Sequence, residues 1–215
     1  TLLASSAASD VYKRQGMTLS LTACGGSTDT AKTDQADGKD TFTVGFDQDF
    51  PPFGYVGDDG EFTGFDIEMA TECAARMGKK IVLQPIDWDA KDMELEAGTI
   101  DCIWNGFTMN GREDQYTWTD PYMDNSQVVV VKKDSGINTL ADLAGKVVEV
   151  QKESAAETAL NDEEHADLMA SFAQLLSVGE YNTAFMDLES GAVDAVAIDI
   201  GVAQFQIEGK EDQYQ

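Results

Sequence analysis

From Thr41 onward the chain alternates β-branched runs with stretches of helical periodicity, and that alternation leaves few architectures open. Strands separated by helices build sheets with parallel neighbours and helices on their faces, which is an α/β fold. Thr41–Phe46, Lys80–Pro85 and the apolar run 100–104 read as strands of the first half. Between them, residues 64–77 place Phe65, Ile67 or Met69, Cys73 and Met77 at helical spacing, and residues 89–97 form a short helix. Gln127–Val131 is a β-branched run of the kind that crosses between two halves. The second half repeats the theme, with helices over 139–143, 154–160, 180–189 and 201–206 and strands over 146–150, 171–176 and 192–197. Ser154 is suited to cap its helix. Asp58-Asp59-Gly60 reads as a hairpin turn between Tyr55 and Phe62.

Charge narrows the partners. Fourteen basic residues against forty acidic ones give a formal net charge of −26. A field of that sign repels phosphate backbones and anionic headgroups, which argues against nucleic acid. No run of eighteen apolar residues offers a membrane span. Three cysteines cannot build a disulfide framework, and Cys73 and Cys102 read as small buried hydrophobes. Catalytic signals are missing: there is no Gly-x-Ser-x-Gly elbow and no phosphate loop. The single histidine, His165, lies in the acidic stretch NDEEHADL and reads as a surface residue. The turn at 58–60 lacks the other ligands of a calcium loop, so neither a metal nor a cofactor is expected.

The first 39 residues do not read as fold. Leu21-Thr22-Ala23-Cys24 resembles a bacterial lipobox, in which the cysteine receives diacylglycerol. The Thr-, Asp- and Gly-rich stretch that follows suits a flexible tether. The apolar run before Cys24 is too short for an intact signal peptide, so residues 16–39 are expected to hold its remnant, the lipobox and the tether. Asp10-Val11-Tyr12-Lys13-Arg14-Gln15 looks like a translated adapter of DNA library preparation, and residues 1–15 are expected to be a sequencing scar.

Five blocks carry a family resemblance: FTVGFDQDFPPFGYVGDDGEFTGFDIEMA, GTIDCIWNGFTMNGRED, YTWTDPYM, LADLAGKVVEVQ and LESGAVDAVAIDIGVA. Together and in this order they resemble the polar amino acid-binding proteins, solute-binding family 3. The resemblance implies a periplasmic-binding-protein-like fold of two lobes joined by a hinge, with lobe 1 over 40–131 and lobe 2 over 132–215. Family members continue past this point, so lobe 2 is expected to be incomplete. The resemblance also implies a monomeric, lipid-anchored, extracytoplasmic component of an ABC importer, working with the transmembrane subunits of a permease. Two rival readings share the fold: a cyclohexadienyl dehydratase-like enzyme and the sensing domain of a membrane receptor.

A free amino acid is a zwitterion, and its burial requires partners for both charges. The resemblance maps Arg112 onto the family's carboxylate-binding arginine, whose planar guanidinium can make paired charge-assisted bonds. The alternative is a surface arginine pairing with Glu113 or Asp114. Thr108 is expected to support Arg112, and Ser154 and Ala155 to offer the amide-rich start of a helix from the other lobe. The resemblance gives Asp199 the α-ammonium, with a carbonyl from Asn105-Gly106; the alternative for Asp199 is a helix N-cap. Phe50 and Trp88 match aromatic positions that sandwich the ligand side chain, and Phe53 either backs them or is plain core. Asp47 and Gln151 match positions that sense the side-chain end. Glu153 stands where relatives usually carry glycine, and it is the one candidate general acid for the dehydratase reading.

Overall fold

A computed structural model describes residues 39–215. The expected scar, the lipobox with Cys24 and the tether as far as residue 38 lie outside the described residues.

The chain enters as β1 (Thr41–Phe46), whose Val44 and Phe46 are fully buried. Three short antiparallel strands follow, β2 (Asp49–Phe50), β3 (Gly54–Val56) and β4 (Phe62–Thr63), with the Asp58-Asp59-Gly60 turn between the last two. Helix α1 (Phe65–Arg76) buries Asp66, Ile67, Ala70 and Ala74. The expected inward residues Phe65 and Met77 are about half exposed, because small alanines let the helix approach the sheet along a different stripe. Strand β5 (Lys80–Pro85), helix α2 (Lys91–Ala97) and strand β6 (Cys102–Ile103) complete the first half. Its sheet has the order β5-β1-β6 and is parallel throughout.

Strand β7 (Gln127–Val131) pairs with none of these. It runs antiparallel to a later strand in a second sheet, so the change of sheet falls before residue 127 rather than at 131. That sheet also holds β8 (Val147–Gln151), β9 (Gln174–Val178) and β10 (Ala195–Asp199), in the order β7-β10-β8-β9. Every residue of β10 is buried, as expected for a central strand covered on both faces. Helices α3 (Ala155–Asn161), α4 (Ala166–Ser171), α5 (Tyr181–Ser190) and α6 (Ile200–Ile207) surround it. The strand expected over 171–176 begins only at Gln174, because α4 runs on through Ser171. His165, expected on the surface, is half-buried just before α4.

Cys73 and Cys102 are both half-buried rather than enclosed, and burial pushes the Cys102 thiol up to about 12. Among the described residues no helix is long and apolar enough to cross a membrane, and no group of His, Cys, Asp and Glu could hold a metal ion. One apolar cluster joins Phe50 and Phe53 of the first half to Tyr181, Leu188, Val196 and Val202 of the second. The two halves therefore meet, and they do so beyond the carboxyl ends of β1, β6, β8 and β10. That is where open α/β sheets place ligands.

Candidate functional site

A narrow cleft lies between the two halves. Ten of the twelve expected site residues line it: Phe50, Trp88, Asn105, Gly106, Thr108 and Arg112 from the first half, and Gln151, Ser154, Ala155 and Asp199 from the second. Asp47 and Phe53 do not.

Arg112 sits in the loop beyond β6 and is largely buried. Its backbone is pinned: the Arg112 N–H donates to the Met109 carbonyl at 2.9 Å, and the Arg112 carbonyl accepts from the Trp118 indole at 3.2 Å. The guanidinium does not pair with Glu113 or Asp114. It crosses to the other half, where Nη2 donates to the Glu153 carbonyl at 2.9 Å and the Thr158 hydroxyl at 3.1 Å. No described carboxylate lies within ion-pair distance of it. Burial draws its pKa down, and the nearby anionic or hydroxyl groups of Tyr116, Asp92, Asp199 and Glu153 oppose that shift. Phe107, which sequence reasoning missed, packs its ring 5.1 Å from the guanidinium carbon and edge-on to Trp88. Its signal was available, since Phe107 stands between two expected site residues, Gly106 and Thr108.

Asp199 occupies the N-cap position of α6, yet its carboxylate makes no capping bond. Instead Oδ1 accepts from the Gln127 side-chain amide at 2.7 Å and from the Asn125 amide. Asn125 also donates to the Thr108 hydroxyl at 3.0 Å. Burial raises the Asp199 pKa, and the two amides work against that rise. Asn125 and Gln127 are thus site-shaping residues that no spacing in the sequence announced. They lie 74 and 72 residues from their partner, and only the pairing of β7 with β10 unites them.

Ser154 caps α3 as expected, its hydroxyl accepting from the Glu157 N–H at 3.1 Å. That leaves the amides of Ala155 and Ala156 without a partner inside the helix. Gly106 adopts φ 57°, a region costly for other residues, and lies against the Phe53 ring. Its N–H donates to the buried carboxylate of Asp66, which also accepts from the Tyr122 hydroxyl at 2.9 Å. This carboxylate, pushed up to about 6 by burial, ties the Asn105-Gly106 loop to α1.

Asp47 lies behind the cleft wall. Its side chain accepts from the Asp49 N–H at 2.8 Å and from the Gln151 amide at 2.7 Å, so Gln151 rather than Asp47 faces the cavity. Burial raises Asp47 to about 6. Phe53 is core: its ring stacks on Phe50 with centroids 5.6 Å apart, and it packs so tightly on Gly201 that a Cβ there would meet it at 2.9 Å.

Glu153 does not line the cleft. It holds a left-handed φ of 57°, and its carboxylate binds Lys91 at 2.7 Å. A left-handed backbone costs a non-glycine residue about 1–2 kcal/mol, so the surrounding contacts must hold it.

The sequence profile of the bacterial extracellular solute-binding proteins, family 3, matches residues 42–185. The chain belongs to that family. Members of the family are extracytoplasmic binding proteins, and the present family 3 chain is similar to several with named ligands. It is 32% identical over 162 residues to the L-cystine-binding protein TcyJ of Escherichia coli, covering 74% of this chain and 59% of that one. It is 35% identical over 136 residues to the arginine-binding extracellular protein ArtP of Bacillus subtilis, covering 63% and 51%. A histidine-bound ABC uptake transporter substrate-binding protein from Streptococcus pneumoniae superposes with a TM-score of 0.77 at 35% identity, covering 82% of this chain and 73% of that one. The family 3 chain therefore spans between half and three fifths of these curated relatives.

Proposed function

We propose that this chain is the ligand-capturing subunit of an ABC importer, closing two lobes about a polar L-amino acid. The observation that carries the reading is a pair of buried, oppositely charged groups on one small cleft. Arg112 has only neutral acceptors and Asp199 only amide donors. A zwitterion placed between them would give the guanidinium a carboxylate and the aspartate an ammonium, offsetting two desolvation costs at once. The unpartnered amides at the start of α3 would add donors to the carboxylate from the second half, so ligand would bind the closed form more tightly than the open one.

Phe50 and Trp88 offer aromatic walls to the ligand side chain, and Gln151, backed by Asp47, meets its end. That polar end favours a basic or amide side chain. In this reading the lobes divide before β7, the protein acts as a monomer, Cys24 carries a lipid anchor on the outer face of the membrane, and permease subunits receive the ligand. No covalent step is needed. Glu153, the candidate acid of the dehydratase alternative, is engaged by Lys91 and stands off the cleft.

A thermal-shift screen with the twenty L-amino acids and L-cystine tests the reading. Ligand at about 100 times its dissociation constant adds about 2.7 kcal/mol of stability. A shift of several degrees with one or a few polar amino acids is expected. No shift with any of them contradicts the proposal.

A further inference from the structure

Glu153 gathers more contacts from the opposite half than any spacing in the sequence suggested. Its carbonyl accepts from the Trp88 indole at 3.3 Å and from Arg112 at 2.9 Å. Its carboxylate meets Lys91 Nζ at 2.7 Å. Lys91 is nearly inaccessible to solvent, at 3%, whereas the Glu153 side chain is 45% exposed. The ammonium also lies 5.1 Å from the centre of the Trp88 ring. Next door, Lys152 bridges to Asp89 at 2.7 Å, while on the other side Gln151 reaches Asp47. The main chain of Glu153 is held in its left-handed conformation by Glu157, which accepts the Glu153 N–H at 2.6 Å.

We propose that the Gln151–Ser154 turn is a clasp, in which the Lys91–Glu153 ion pair holds the two halves together and Glu153 positions the Arg112 guanidinium. The asymmetry of exposure sets the physics. A buried ammonium stripped of its carboxylate must be rehydrated, and the cheapest route is separation of the halves. The pair therefore adds to the closed population before ligand arrives. An affinity that depends on the closed form scales with that population. The inference rests on the receptor reading for its consequence, but the clasp itself can be observed in ligand-free protein.

The test uses the full chain and four variants: Glu153→Gln, Glu153→Gly, Lys91→Met and the double variant Lys91→Met/Glu153→Gln. Hydrogen–deuterium exchange is followed over residues 86–92 and 152–158, and the radius of gyration is measured by X-ray scattering, both without ligand. The expected result for Glu153→Gln is exchange about tenfold faster or more in both segments, with an expanded radius. Protection within β1, β8 and β10 should be unchanged, which shows that the fold is intact. Glu153→Gly should open as well, although it relieves the left-handed backbone, because the carboxylate is what matters. The double variant strands no buried charge but also lacks the pair, so it should open less than the single variant yet stay more open than wild type.

Unchanged exchange and radius in Glu153→Gln would overturn the clasp. So would a double variant as closed as wild type, since the effect would then lie in the stranded ammonium alone. With L-arginine, L-histidine and L-glutamine as probes, whichever binds should bind Glu153→Gln about tenfold more weakly. If none binds the wild type, the receptor reading fails while the ligand-free exchange still decides the clasp.

Discussion

Asp66 offers a sharp test of how buried carboxylates set the stability of this fold. Asp66 and Asp47 are both enclosed, and burial raises each from 3.8 to about 6. A carboxyl group whose folded pKa is raised binds a proton more readily in the folded state than in the unfolded one. Acidification from pH 7 to pH 5 passes through that window, so these two groups make the protein more stable as the pH falls. Each is mostly ionised at pH 7 and mostly protonated in the fold at pH 5. With 1.36 kcal/mol per unit, the gain is about 1.3 kcal/mol per group, or about 2.5 kcal/mol for both. For a chain of this length that is about 5–10 °C in melting temperature. The surface carboxylates held below their usual range, Asp89, Asp101, Asp142 and Glu211, lose their contribution only at lower pH.

Asp66→Asn isolates one of the two groups. The asparagine oxygen can accept the Gly106 N–H, and its amide can donate to the Tyr122 hydroxyl, so both contacts survive. Self-repulsion from the net charge of −26 relaxes on acidification in wild type and variant alike, and it cancels in the comparison. Calorimetric melts at pH 7 and pH 5 should show the variant gaining about 1.3 kcal/mol less than wild type. An equal gain in both, or a wild type that loses stability over this range, would refute the reasoning.

Arg112→Ala should weaken binding of every amino acid by at least about a hundredfold in titration calorimetry, since it leaves a carboxylate without its buried partner. Asp199→Asn should do likewise for amino acids but spare the fold, because Asn125 and Gln127 amides remain to be met by the asparagine oxygen. Asp47→Ala should change the ranking of side chains more than overall affinity, because it frees Gln151 rather than removing a cleft wall; a competition panel reads this. Gly201→Ala should cost about 1–3 kcal/mol in denaturant melts, as its Cβ would meet the Phe53 ring at 2.9 Å.

Much of this was legible because periodicity and end-of-strand position are local properties. The α/β alternation placed β1, β5, β7 and α1 closely, and the resemblance placed ten residues on one cleft. What escaped depends on distance in the chain. Asp199 reads equally well as a cap until Gln127 is seen across the antiparallel pair. Phe53 and Asp47 carry the right chemistry in the right block, but the Phe50 ring and Gln151 stand between them and the cavity. Glu153 looked unfavourable beside an anion site, and only its fold partner Lys91, 62 residues earlier, explains its presence. Small residues misled the helix pattern too, since Ala70 and Ala74 rather than Phe65 and Met77 face the sheet.

The most direct test of the central claim is a titration of the amino acid that gives the largest thermal shift, set against its α-carboxamide. The two differ only in the charge that Arg112 is held to recognise. The account requires the carboxamide to bind at least about a hundredfold more weakly, a loss that Arg112→Ala should abolish. Equal affinity for the two would contradict it.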